Sequence, residues 1–252
     1  MQTEKTSSGP AACAGLPNTT DHPPPMTSSD PLQSTDRPSD PSGDAADTAS
    51  DQGSGRKRPK PGERRVQILE ALATMLEQPG VDRVTTAALA ARLEVSEAAL
   101  YRHFASKAQM FEGLIDFIEQ SVFSLVNQLV EREPDGTLRS RKLVTLLLQF
   151  GEKNPGMTRV MVGDALVFEN ERLQQRMNLF FDKIESTLRQ NLRESAVLAG
   201  TTTPTVDAQA DASVITSFCL GRLQRYARSG FKRQPTETLE HSLAVLLPVM
   251  RA

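Results

Sequence analysis

Beyond Gly62 the apolar positions of the chain recur at three- and four-residue spacing, and no stretch alternates apolar and polar as a half-buried strand would. Val66, Leu69, Leu72, Ala73 and Leu76 mark a helix over 63–77, ended by Pro79-Gly80. Thr85 or Thr86 caps a short helix through Leu93, and Ser96 caps another through Phe104. Ser106-Lys107-Ala108-Gln109 matches a capping box. It opens a long helix to about Arg132, with Phe111, Leu114, Ile115, Ile118, Val122, Leu125, Val126 and Leu129 on its apolar stripe. Pro134-Asp135-Gly136 predicts a turn, and 138–152 a helix stopped by Asn154-Pro155-Gly156. Residues 157–195 carry two or three helical segments, the last from about Asn170 with Leu173, Met177, Phe180, Phe181, Ile184 and Leu188 inward. A loop over 199–206, a helix over 207–229 ended by Gly230, and a short helix after Pro235-Thr236 complete the pattern. The expected fold class is all-α.

The two short helices are separated only by Glu94-Val95-Ser96, which is helix–turn–helix spacing. Ala90 and Ala91 are small where the helices would cross, and Leu100 and Phe104 form an i, i+4 core pair. With that pair inward, the second helix presents Glu97, Ala98, Tyr101 and Arg102 outward, and its start, Ser96 to Ala99, is small enough to enter a major groove. Alanine methyls can touch thymine methyls there, and arginine can reach guanine. Tyr101, His103 and Lys107 suit phosphate contacts, and Thr85 can aim its hydroxyl at a phosphate. Glu94 stands at the turn position that favours glycine, at a cost of about 1 kcal/mol if φ is positive.

Charge sharpens this reading only when it is divided along the chain. The 252 residues carry a net charge of −2. Residues 1–55 hold −6, residues 56–107 hold +4, and residues 108–252 are neutral. The first block also lacks Val, Ile, Phe, Tyr and Trp and contains eight prolines. Such a composition predicts a disordered acidic tail, because it has too little apolar surface to offset the entropy of ordering. The second block begins with a basic arm, Arg56, Lys57 and Arg58, followed by Arg64 and Arg65, suited to phosphates or an adjacent minor groove. Three domains are therefore expected: the tail (1–55), the arm and DNA-binding unit (56–107), and a helical body (108–252).

Other functional classes find little footing. Cys13 and Cys219 cannot make a disulfide scaffold or a four-cysteine zinc site. His22, His103 and His241 have no metal-ligand spacing, and no phosphate loop or nucleophile motif is present. Neither enzyme activity, nor a metal, nor a cofactor is expected. The longest apolar run, Leu243 to Met250, is interrupted by Pro248 and far short of a membrane span, so a cytoplasmic protein is expected.

The stretch Val95-Ser96-Glu97-Ala98-Ala99-Leu100-Tyr101-Arg102-His103-Phe104, followed by Ser106-Lys107, resembles the DNA-binding signature of TetR-type regulators. That resemblance implies a three-helix DNA-binding domain joined to a six-helix domain that dimerises and usually binds a small ligand. Downstream, Met110-Phe111-Glu112, Phe150-Gly151-Glu152-Lys153-Asn154-Pro155-Gly156, Gly163-Asp164-Ala165-Leu166 and Arg172-Leu173-Gln174-Gln175-Arg176-Met177-Asn178 are similar to the nucleoid occlusion branch of that family. The resemblance covers roughly residues 60–252. It implies a nucleoid-associated homodimer on palindromic DNA sites, with room for several dimers per site. It also implies that the DNA-bound form blocks assembly of the division protein FtsZ by engaging the FtsZ C-terminal tail.

The implied tail groove lies between the long helix after Lys107 and the helix ending at Asn154, with Phe117, Leu146, Lys153 and Asn154 at matching positions. Phe117 and Leu146 could form an apolar floor and Lys153 a cationic rim, although both apolar residues could equally be ordinary core. Leu125 and Gln149 depart from the pattern, which has a basic residue and a glycine there. The family further implies dimerisation through the 170–195 and 207–229 helices, with Phe180, Leu188, Ile215, Phe218 and Leu223 as candidates shared with the core. The alternative on the same fold is a ligand-responsive transcriptional repressor.

Overall fold

The computed structural model describes residues 62–78 and 83–247. The tail over 1–55, the arm residues Arg56, Lys57 and Arg58, the Pro79-Gly80 stop and Pro248 lie outside the described residues. Within them the chain is all-helical, as its periodicity predicts. The helices are α1 (Glu63–Leu76), α2 (Thr86–Arg92), α3 (Glu97–Tyr101), α4 (Lys107–Arg132), α5 (Gly136–Lys153), α6 (Pro155–Met161), α7 (Glu171–Leu198), α8 (Pro204–Arg228) and α9 (Leu239–Leu246). A 3-10 turn, Asp164–Leu166, joins α6 to α7.

The starts of these helices follow from their caps. The side chains of Thr85, Ser96, Ser106, Asp135 and Asn170 each accept a hydrogen bond from a backbone N–H of the first turn. At Ser106 the reciprocal half of the box is shifted by one residue: Gln109 Oε1 accepts from Ala105 N at 2.9 Å rather than from the cap itself. Asp135 caps at Thr137 N (2.8 Å) and Leu138 N (3.1 Å), so α5 begins two residues before the expected 138. Pro204 likewise starts α8 inside the expected 199–206 loop, because a proline fits the first helical position without losing a bond. The Asn154-Pro155-Gly156 stop is also a start. Asn154 ends α5 and Pro155 opens α6 at once.

α1, α2 and α3 form the headpiece, around Ile68, Leu72, Leu76, Leu89, Ala90, Leu100 and Phe104. α4 leaves the headpiece and runs the length of the body, burying Met110, Phe111, Leu114, Ile115, Ile118, Val122 and Val126. α5, α7 and α8 complete the body, and its buried residues form one continuous cluster with those of the headpiece. α6 joins the two. At Gly156 any Cβ would fall 2.1 Å from the Ala73 carbonyl oxygen of α1, so only glycine permits that approach.

Candidate nucleic-acid interface

Leu100 and Phe104 are buried, as their spacing requires, and the rest of α3 faces outward. Glu97, Ala98, Tyr101, Arg102 and His103 are exposed and Ala99 is half-buried. Glu94 adopts φ of 54°, the left-handed conformation expected of the turn position it fills. Ser96 Oγ accepts from Ala99 N at 3.3 Å and Thr85 Oγ1 from Ala88 N at 3.1 Å. Both hydroxyls therefore fix the starts of the two motif helices. Glu97 Oε2 accepts from Thr86 Oγ1 at 2.6 Å, which ties one helix start to the other. The outward set with no internal bond of this kind is Tyr101, Arg102 and the His103 ring.

Two of the basic candidates have structural partners. Arg65 Nη1 donates to the His103 carbonyl at 2.5 Å, and its guanidinium lies 4.0 Å from the Phe104 ring centroid. It braces the end of the recognition helix from α1, by a hydrogen bond and a cation–π contact together. Lys107 pairs with Glu169, just before α7, and its ammonium lies 5.6 Å from the Phe111 ring centroid. Arg64 donates to Gln67 Oε1 at 2.9 Å within α1. Arg83 and Arg92 are exposed cations of the same unit. The sequence reading passed over them because Arg83 precedes the motif and Arg92 ends its first helix, whereas the contacts were sought on the second.

On the body, α4, α5 and α9 enclose a groove of about 640 Å³. Leu125, Leu138, Leu146, Phe150 and Leu243 supply its apolar surface, and Arg141, Lys142 and Lys153 its positive charge. Leu146, Lys153 and Asn154 thus share one groove, with the two departing positions Leu125 and Gln149 beside them. Phe117 lies outside this lining, on α4, with 48% of its surface exposed. It is not a core residue, and Leu146 is only partly buried. Asn154 Nδ2 donates to the Phe150 carbonyl at 2.7 Å, so its amide closes the end of α5. Lys142 donates to Glu133 at 2.6 Å and so holds that carboxyl below its ordinary range. Arg141, Lys142, Leu138 and the α9 residues Glu240 and Leu243 were missed in the sequence. α9 lies about a hundred residues beyond α5, and no local spacing links the two.

Most of the dimer candidates belong to the core they were expected to share. Phe180, Leu188, Ile215 and Leu223 are each at most 1% exposed in the single chain, where they fill its own core between α7 and α8. Phe218 is half-buried beneath the Arg222 guanidinium, 5.0 Å from its ring centroid. The exposed side of α8 carries Val206, Ala210, Ser213, Val214, Ser217 and Leu220 instead. From Ala212 to Gly221 the helix has no charged residue at all. Cys219 is buried within it, and burial pushes its thiol up to about 12, which makes it inert packing.

Among the described residues no group of His, Cys, Asp and Glu could hold a metal ion, and no helix is long and apolar enough to cross a membrane. Comparison with known proteins then places the chain. Residues 68–114 match the model of bacterial regulatory proteins of the tetR family, and residues 135–250 match a tetracyclin repressor-like C-terminal domain of SlmA-like type. The nucleoid occlusion factor SlmA of Vibrio vulnificus (strain YJ016) is 50% identical over 188 residues, covering 74% of this chain and 95% of the relative. The protein of that name from Escherichia coli O9:H4 (strain HS) is 51% identical over 178 residues, covering 70% and 89%. Among solved structures, the fatty acid degradation regulator FadR from Bacillus halodurans superposes with a TM-score of 0.61 at 16% identity, over 77% of this chain and 99% of that one. AibR, solved with isovaleryl coenzyme A and operator DNA, gives 0.59 at 16% identity, over 73% and 98%. These two likenesses speak to fold alone. With half of its aligned residues identical across nearly the full length of those relatives, the chain belongs to the SlmA family of TetR-type regulators.

Proposed function

We propose that this chain is a nucleoid occlusion factor. As a homodimer it binds palindromic chromosomal sites, and in that state it inhibits FtsZ ring assembly over the nucleoid by engaging the FtsZ C-terminal tail. The observation that carries this reading is the double duty of α4. Its first turn closes the helix–turn–helix unit at Lys107, and Leu125, five turns later, lines the apolar and cationic groove. Tyr101, Arg102 and His103 would meet the DNA, with Ala98 and Ala99 against base methyls. Arg56, Lys57 and Arg58 would follow the phosphates beside them. The groove suits a short extended or helical peptide, with apolar anchors on Leu146 and Phe150 and an acidic group at Lys153.

The uncharged face of α8 supports pairing of two chains, and the family's shared four-helix arrangement would set the two recognition helices in register with a palindrome. Binding alone is needed for this function, so its test is a binding test. FtsZ-tail affinity should rise when a DNA site is present. By linkage, tail peptide should raise DNA affinity by the same factor. Lys153→Glu should weaken tail binding by tenfold or more (~1.4 kcal/mol or above) while DNA affinity stays within twofold. Equal loss of both would place the peptide elsewhere.

A further inference from the structure

Two of the three cations lining the α4–α5–α9 groove already hold carboxylates of the chain itself. Arg141 Nη2 donates to Glu240 Oε2 at 3.1 Å, and Lys142 Nζ to Glu133 Oε2 at 2.6 Å. Lys153 has no ion-pair partner among the described residues. The two occupied pairs differ in kind. Glu133 is 15% exposed and belongs to the α4–α5 turn next to Lys142. Glu240 is 82% exposed, and it comes from α9 to meet an arginine whose side chain is only 22% exposed.

A carboxylate so open to water adds little by pairing and is readily replaced. Arg141, by contrast, is fixed by burial of its stem, and its planar guanidinium can take a carboxylate through two parallel bonds, where Glu240 accepts from Nη2. An acid that is easily displaced thus covers a cation that is well placed.

Resting on the peptide-groove reading above, we propose that Glu240 is an internal stand-in for an acidic group of the docked peptide. In the free chain it occupies Arg141. On docking, a peptide carboxylate takes its place and α9 gives up the contact, so Arg141 becomes the second anion anchor of the groove alongside Lys153. The two cations lie twelve positions apart on α5, about 18 Å along a helix axis. An extended peptide meeting both spans about five residues. A C-terminal tail brings at least its terminal carboxylate to one of them. Glu240 then sets a threshold: a peptide with apolar anchors but a single acid gains Lys153 and leaves Arg141 closed. The groove discriminates by counting charges as well as by accepting apolar side chains.

The test uses the full-length protein and a fluorescently labelled FtsZ C-terminal tail peptide, titrated by anisotropy at fixed salt. Four proteins are compared: wild type, Glu240→Gln, Arg141→Gln and the double variant. Glu240→Gln should tighten binding by about threefold or more, and Arg141→Gln should loosen it by about tenfold. The double variant should bind no better than Arg141→Gln alone, since without the arginine Glu240 has nothing to cover. Unchanged melting temperature and DNA affinity for Glu240→Gln, and Arg141→Lys with intermediate affinity, keep folding apart from recognition. An unchanged or weakened Glu240→Gln overturns the stand-in. So does an equal gain in the Arg141→Gln background, which would mark mere removal of a nearby negative charge. If wild type binds and Lys153→Glu does not, either result leaves the groove reading intact. If no variant binds the tail, the groove reading falls and the stand-in with it.

Discussion

At the scale of single residues, the DNA-binding unit is held by side chains that its motif would assign to DNA. Arg65 binds the His103 carbonyl and the Phe104 ring, and Lys107 is engaged by Glu169 in a largely enclosed pair. A lysine at the first turn of a helix opposes the positive end of the helix dipole, and the Glu169 carboxylate relieves that conflict. If Lys107 also meets a DNA phosphate, as proposed, that carboxylate would compete for the same ammonium. Glu169→Gln removes the competitor, and the salt dependence of DNA binding should steepen by up to about one unit. The slope of log affinity against log salt measures this. A lower melting temperature with an unchanged slope would assign Lys107 to bracing the junction alone. Arg172 with Glu112, and Arg176 with Asp116 and Glu119, continue the same seam between α4 and α7. The double pairing holds the Arg176 guanidinium more firmly protonated still, chiefly through its hydrogen bond to Glu119.

At the scale of elements, helix existence and order were legible because apolar spacing and caps are local signals. Thr85, Ser96, Ser106 and Asn170 announce their helices by residue type and use that chemistry in the fold. The positive φ of Glu94 was legible for the same reason, since this turn position favours the left-handed conformation that glycine adopts most freely. Contacts between elements far apart in sequence were not. Nothing near Leu146 points to Glu240, and periodicity cannot say whether an apolar residue of α7 or α8 faces its own core or a partner. Phe180 and Leu188 repeat at the core spacing because they are core. The exposed side of α8, proposed above to meet a partner, shows instead as missing charge, a weaker mark that an apolar count overlooks. Val214→Glu on that side should shift the sedimenting species from dimer to monomer and lower affinity for a palindromic site by at least a hundredfold, while helical content is unchanged. Retention of the dimer would move the interface off this face.

At the scale of the whole molecule, the net charge conceals a polarised chain. The body is neutral, the DNA-binding unit is +4, and the tail attached to it is −6. Charge on the tail opposes the field that draws the chain to DNA, and the opposition is screened within about 10 Å at 0.1 M salt. Deletion of residues 1–55 should therefore tighten non-specific DNA binding at low salt and matter little at high salt. A filter-binding series across ionic strength that shows no difference at any salt would leave the tail without this role. Both partners would meet a single element, α4, which the ion pairs of Arg172 and Arg176 tie to α7.

The uncharged outer face of α8 has a further consequence, in mass action. If two chains pair through this face, the share of paired chains rises with their concentration. Dilute in the cell, the protein would divide between single and paired forms. Adjacent half-sites on DNA raise its local concentration far above the bulk value. The chromosome would then act as the surface on which the regulator is completed, and stretches of the cell without DNA would hold the form least able to act.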